Sequence, residues 1–174
     1  MRKELHTKIC EEKVFESIYN TYSKDLTDYL YYRYGEALNP KDKAQEAFVK
    51  LWNNCKKVSV DKAKSYLFTV ANNMMLNAIK HQKVVLKYQT DKPNIYHSES
   101  PEFILEKKQY FEKYKAVLAS LNDEQRVAFL LNKVEGKKHG EIAEILGVTQ
   151  KVVEYRIYSA FNILKKELEG FKIK

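Results

Sequence analysis

The stretch HGEIAEILGVTQKVVEYRIYSAFNILKKEL, residues 139–168, decides the fold of its half of the chain. Ile142, Ala143 and Leu146 recur at helical spacing, as do Val153, Ile157, Ala160 and Leu164, which predicts two amphipathic helices. Between them stands Gly147-Val148-Thr149. Glycine takes the left-handed conformation that ends a helix inside a tight turn, Val148 is placed to plug the angle between the helices, and Thr149 can cap the second one through its side-chain oxygen. Ala143 is small where the helices would cross. The reading is a helix-turn-helix, with a hairpin used only for packing as the plainer alternative. The exposed face of the second helix, from its cap at Thr149, offers Gln150, Lys151, Glu154, Tyr155 and Tyr158, with Arg156 near the edge. These are donors and acceptors suited to the major groove of duplex DNA. Glu154 would repel phosphate, so it is expected either to accept from a cytosine amino group or to pair with Lys151 or Arg156.

Upstream, Phe103 to Ser120 is periodic, and Asn122 or Asp123 can cap a helix running to about Val134 with Glu124 in its first turn. Residues 88–102, YQTDKPNIYHSESPE, lose periodicity and collect Pro, Ser, Asn and charge, which reads as a linker. The N-terminal half is helical again. Val14, Phe15, Ile18, Tyr19, Tyr22, Leu26, Tyr29 and Leu30 predict a helix over 12–34 ending near Gly35. Asn39-Pro40 starts a second, with Ala44, Ala47, Phe48 and Leu51 as its buried stripe and an end near Asn53-Asn54. A third, over about 62–82, carries Leu67, Val70, Ala71, Met74 and Ala78. The expected fold is all-α. A three- to four-helix domain over 1–87 is joined by a linker over 88–104 to a helix-turn-helix domain over 105–174.

Composition fits that expectation and removes other classes. With 44% hydrophobic and 31% charged residues the 174-residue chain is globular, and five Gly and three Pro argue against a turn-dense β fold. No apolar run approaches a membrane span, and the charged N-terminus MRKELHTKICEEK carries no signal-peptide core, so a cytoplasmic protein is expected, without membrane insertion. Cys10 and Cys55 lie far apart with no CxxC spacing, and both are expected as reduced thiols. The histidines His6, His81, His97 and His139 form no HxxxH pair and no Gly-rich phosphate loop appears. The acid pairs Asp25/Asp28 and Glu141/Glu144 read as solvated helix faces. No enzyme, metal, cofactor or small-molecule substrate is expected.

The net charge of +8 is unevenly spread. Residues 1–55 balance nine basic against nine acidic side chains, whereas residues 56–87 hold Lys56, Lys57, Lys62, Lys64, Lys80, Lys83 and Lys87 against Asp61 alone. Such a patch favours a polyanion, with nucleic acid the first candidate and a solvated lysine face the alternative.

Two separate sets of motifs then resemble one family. LNDEQRVAFLLNKVEGKKHGEIAEILGVTQKVVEYRIYSAFNILKKEL looks like region 4 of the extracytoplasmic-function group of sigma-70 factors. FESIYNTYSKDLTDYL, DKAQEAFVKLW and SYLFTVANNMMLNAIK resemble region 2 of the same family, and the order and spacing agree over about residues 12–170. The resemblance implies that DKAQEAFVKLW docks on the β′ clamp helices of core RNA polymerase through Asp42, Gln45, Glu46 and Lys50, while Phe48, Leu51 and Trp52 face the domain core or its margin. It implies that Lys56, Lys57, Lys62, Lys64, Asn73, Asn77 and Lys80 hold the opened strand at the minus-10 promoter element, where a cationic groove supplies affinity and flipped bases need partners. Tyr66 is expected to pack rather than to contact bases, whereas Phe68, off the Leu67/Val70/Met74 stripe, is left open between the two. Thr149, Gln150, Lys151, Glu154, Tyr155, Arg156 and Tyr158 would read the minus-35 element. A contact with the polymerase β flap and an anti-sigma partner are further implications.

The chain departs from the family pattern at named places. Asn72 stands where a basic residue is common, Lys43 where an apolar one is, and Lys138-His139-Gly140 replaces a small-aromatic-acidic run. Glu154 and Tyr155 replace frequent Lys and Ser, so no minus-35 preference carries over. The rival reading is a stand-alone regulator with an N-terminal sensor or dimerisation domain, which would bind duplex DNA as a symmetric dimer without polymerase.

Overall fold

The computed structural model describes residues 8–85 and 101–168, and among them every regular element is helical. The chain divides into two units, residues 1–90 and 91–174.

In the first unit, α1 (Glu12–Tyr34) buries Ile18, Leu26, Tyr29 and Leu30 of the predicted stripe, whereas Val14, Phe15 and Tyr22 are half-buried and Tyr19 is exposed. Gly35, at φ +80°, stops it, its N–H closing on the Tyr31 carbonyl at 2.8 Å. A single 3₁₀ turn (Glu36–Leu38) and Asn39 at φ +51° then redirect the chain. Asparagine is one of the few non-glycine residues that adopts this conformation at modest cost. Pro40 opens α2 (Pro40–Asn53), where the missing N–H breaks no helical hydrogen bond. A second 3₁₀ turn (Val60–Lys62) leads into α3 (Ala63–Val85).

Helix α2 packs on both α1 and α3. Its buried residues are Pro40, Ala44, Ala47, Phe48 and Leu51, and α3 answers with Ala63, Leu67, Ala71, Met74 and Met75. Alanine on both helices permits close approach, and leucine and methionine fill the space beside it. Met75 lies outside the stripe predicted for α3, whereas Val70 and Ala78, inside it, are only half-buried. The stripe is rotated because α3 packs on two helices, which widens and shifts the face it buries.

The expectation of two reduced thiols is overturned. Cys10 and Cys55 form a disulfide, their Cα atoms 5.1 Å apart although 45 residues separate them in sequence. Ile9, fully buried, anchors the segment before α1 so that Cys10 meets the turn after α2. Sequence spacing carries no sign of this, because the pair forms only once α1 and α2 are packed.

In the second unit, α4 (Pro101–Ser120) precedes α5 (Asp123–Lys133), α6 (His139–Leu146) and α7 (Gln150–Glu167). Residues 101–104, expected as the end of the linker, are the first turn of α4, since Pro101 suits a helix start. The rest of the expected linker, 88–100, lies outside the described residues. Asn122 caps α5 through a reciprocal box: its Oδ1 accepts from the Gln125 N–H at 2.8 Å, and Gln125 Oε1 accepts from the Asn122 N–H at 3.4 Å. Helix α7 packs against α4, α5 and α6 around Val127, Phe129, Leu131, Ile142, Val153, Ile157, Ala160 and Leu164. Helix α6 buries Ile145 and leaves Leu146 half-buried, because it packs on α5 as well as α7 and its apolar face is broad.

Candidate nucleic-acid interface

Three surfaces carry the residues singled out in the sequence. The first is the face of α2 turned away from its core. Asp42, Gln45 and Glu46 are exposed and Lys50 is half-buried. Glu46 sits between Lys43, at 2.9 Å, and Lys50, at 3.7 Å. The hydrogen bond from Lys43 is the main cause that holds the Glu46 carboxyl below its ordinary value of 4.5, with both lysine charges adding to it. Lys43, at a position that is often apolar, is thus used as an ion-pair partner. Val49 shares this face, one helical turn beyond Gln45, and is 57% exposed. The i,i+4 spacing from Gln45 was the signal that would have included it. Trp52 lies at the margin: its ring stands edge-on to Phe15 at 5.0 Å, yet it remains 42% exposed. Phe48 is held in the core by Tyr19 at 4.8 Å and Phe15 at 6.3 Å.

The second surface runs from the turn after α2 along α3. Lys56, Lys57 and Lys62 are exposed and Lys64 is half-buried. The turn is ordered by its own backbone, the Lys57 and Val58 N–H groups both closing on the Asn54 carbonyl. Asp61, the acid among these lysines, has its carboxyl held below its ordinary value of 3.8, first by a hydrogen bond with Ser59. Asn73, Asn77 and Lys80 follow at helical spacing and are exposed together on α3, with Leu76, 46% exposed, between them. Tyr66 and Phe68 are half-buried: the Tyr66 hydroxyl donates to the Lys50 carbonyl at 3.4 Å, and the Phe68 ring lies 5.2 Å from that of Tyr29.

Asn72 belongs to neither surface. Its Oδ1 accepts from the Tyr34 hydroxyl at 2.8 Å, its Nδ2 donates to the Tyr29 oxygen at 3.0 Å, and Arg33 Nη1 donates to that same oxygen at 2.6 Å. The Arg33 guanidinium also lies over the Tyr29 and Tyr34 rings, at 5.8 and 5.5 Å. Asn72 is thus an amide that fastens α3 to the end of α1. Partners 38 and 43 residues away leave no local pattern that would have revealed it.

The third surface is the α6–α7 junction. Gly147 adopts φ +66°, ψ 34° and donates to the Ala143 carbonyl, which the Val148 N–H also reaches at 3.1 Å. The Thr149 hydroxyl accepts from the Val152 N–H at 3.4 Å, so this side chain caps α7. Gln150, Lys151, Glu154, Tyr155 and Tyr158 are all exposed, the two tyrosines by 72% and 66%. Lys151, Tyr155 and Tyr158 follow one another along a single face. Glu154 pairs with neither expected cation; its carboxylate lies 3.8 Å from His139 Nδ1, across the turn. Arg156 points instead towards α5, where its side chain, 16% exposed, pairs with Glu124 at 2.5 Å. Close by, Gln125 Nε2 donates to the Ser159 hydroxyl at 2.8 Å. These two links fix α7 on α5 and leave its outer face projecting.

Comparison with known proteins follows the same division. Residues 18–84 match the family described as Sigma-70 region 2, and residues 111–164 match Sigma-70, region 4. Among curated proteins, the chain is 26% identical to the RNA polymerase sigma factor YlaC of Bacillus subtilis, over 88% of this chain and 91% of that one. It is 27% identical to the ferric citrate uptake sigma factor FecI of Escherichia coli, over 84% and 86%. It is 19% identical to the ECF RNA polymerase sigma factor SigX of Bacillus subtilis, over 91% and 85%.

Proposed function

The chain belongs to the extracytoplasmic-function group of sigma-70 factors, RNA polymerase subunits that direct transcription initiation, and on that premise we propose how its surfaces divide the work. Residues 1–87 form the region 2 domain, 88–100 the connection and the chain from α4 at Pro101 onward the region 4 domain. The outer face of α2, with Asp42, Gln45, Glu46, Val49 and Lys50, docks on the β′ clamp helices. Lys56, Lys57, Lys62 and Lys64, with Asn73, Asn77 and Lys80 along α3, hold the opened minus-10 strand. Gln150, Lys151, Glu154, Tyr155 and Tyr158 read minus-35 duplex, while Thr149 and Arg156 position α7. The protein works where core polymerase works, in the cytoplasm, and performs recognition and strand separation without catalytic chemistry. A contact with the β flap and capture by an anti-sigma protein complete the reading.

The observation that carries it is the contrast within each helix. On α2 and α7 the inner residues are fully engaged in the core, whereas the outer ones are large, polar or aromatic and exposed. Strand opening costs a few kcal/mol for each extruded base, which stacking and hydrogen bonds along α3 must offset.

The test is a mixture of the full chain with bacterial core polymerase on a sizing column, beside a variant carrying Gln45→Ala and Glu46→Ala. Comigration of the wild type, weakened in the variant, supports the docking face. Failure of a folded wild type to comigrate, together with dimeric binding to duplex DNA, would favour the stand-alone regulator.

A further inference from the structure

The Cys10–Cys55 pair is used by none of the surfaces above, and its position is what makes it informative. Cys55 immediately precedes Lys56 and Lys57, the exposed cations of the turn after α2, and Cys10 follows Ile9, the buried anchor of the segment before α1. The bond fastens that segment to the turn. Both cysteines are half-buried rather than sealed in the core. In a reducing cytosol a disulfide is ordinarily transient, formed by an oxidant and removed by dithiol reductants.

We propose that Cys10 and Cys55 are a hydroperoxide-reactive pair whose oxidation fastens the minus-10 turn to the domain. We assign the attacking sulfur to Cys55, which Lys56 and Lys57 follow directly in the chain, since a cation close to a thiol favours the thiolate. Its sulfur attacks the terminal oxygen of a hydroperoxide; an S–O bond forms, the O–O bond breaks, and the departing alkoxide or hydroxide takes a proton to leave as alcohol or water. Cys10 sulfur then attacks Cys55 sulfur; the S–S bond forms, the S–O bond breaks, and hydroxide leaves as water with the Cys10 proton. Two thiols are oxidised by two electrons and one hydroperoxide is reduced. The consequence for transcription rests on the minus-10 reading: with Cys55 fixed, the backbone that carries Lys56 and Lys57 is held before the strand arrives, and preorganisation strengthens binding.

The experiment uses the full chain, reduced with dithiothreitol and freed of it, then treated with one equivalent of hydrogen peroxide. The expected product is a monomer that has lost two free thiols and yields a linked Cys10–Cys55 peptide on non-reducing digestion, reversed by dithiothreitol. Cys10→Ser should stop at a single oxidised cysteine. A linked peptide that fails to form, or disulfides only between chains, would overturn the pairing whatever the protein does with polymerase. In holoenzyme, the oxidised form should half-saturate promoter opening at roughly a threefold lower concentration than the reduced form. Cys10→Ser and Cys55→Ser should abolish the difference. Equal opening by oxidised and reduced protein would overturn the coupling, whereas no opening by either form would refute the minus-10 reading and leave the peptide assay to decide the pair.

Discussion

Asn72 shows how one polar side chain can be given to structure rather than to a candidate surface. Its amide joins Tyr29 and Tyr34 of α1 and shares the Tyr29 oxygen with Arg33, so truncation removes the hydrogen bonds to two tyrosine hydroxyls in a half-buried place. Asn72→Ala should destabilise the chain by about 1–3 kcal/mol, read as a lower midpoint in urea, without altering base preference at the minus-10 element. A changed base preference at unchanged stability would place Asn72 on the DNA instead. Arg156 and Tyr155 make the complementary pair on α7. Arg156→Ala breaks the link to Glu124 and should cost up to about 1 kcal/mol, whereas Tyr155→Ala should stay within about 0.5 kcal/mol of wild type and weaken minus-35-dependent promoter binding. Glu46 supplies a pH argument of known sign. Its carboxyl is held below 4.5 by Lys43 and Lys50, so pairing contributes at neutral pH and is lost as pH falls through that lowered value. The pairing with Lys43 and Lys50 should therefore stay intact across neutral pH and be lost only in acid, below the ordinary carboxylate value of 4.5, which titration of the Glu46 side chain followed by NMR checks.

At the scale of elements, the turn after α2 and the face of α3 should behave as an electrostatic clamp. Lys56→Ala or Lys57→Ala should reduce the salt slope of minus-10 strand binding by about one and leave base preference unchanged. A titration across salt concentrations with strands of different sequence checks both statements at once. This is also the scale at which the sequence was most legible. The bounds of α1 follow from the spacing of Val14 to Leu30 and from Gly35, and the junction before α7 follows from Gly147 and Thr149, because periodicity and capping are local signals. What escaped was long-range. The disulfide spans 45 residues, the Arg156–Glu124 link 32 and the Asn72–Tyr29 hydrogen bond 43, and each depends on which helix faces which. Arg156 illustrates the difference: one residue beyond Tyr155, about 100° of helical rotation carries it from the projecting face to the α5 side. Spacing alone placed it at the edge of the candidate surface, and packing decided the side.

For the whole molecule, the argument is one of two modules and a scaffold. Residues 18–84 and 111–164 match separate parts of the sigma-70 family, and on the proposed reading each unit would meet a different stretch of promoter. Either surface alone is small, so strong binding requires that both engage together, with their spacing set by polymerase. On the proposed reading, with the first module docked on polymerase the second reaches its site through the connecting chain, and for a tether its effective concentration there falls roughly as the −3/2 power of connecting length. Doubling the connection with Gly-Ser residues inserted near residue 95 should therefore lower promoter-complex formation by about threefold, while core-polymerase comigration through α2 stays intact. The measurement is a holoenzyme titration on a promoter with both elements, set beside one lacking the minus-35 element. On the second promoter the insertion should have no effect, since only one module is then engaged. A loss of the same size on both promoters would mean that the connecting chain itself contacts polymerase or DNA, and that its length is fixed by a path rather than by a search volume.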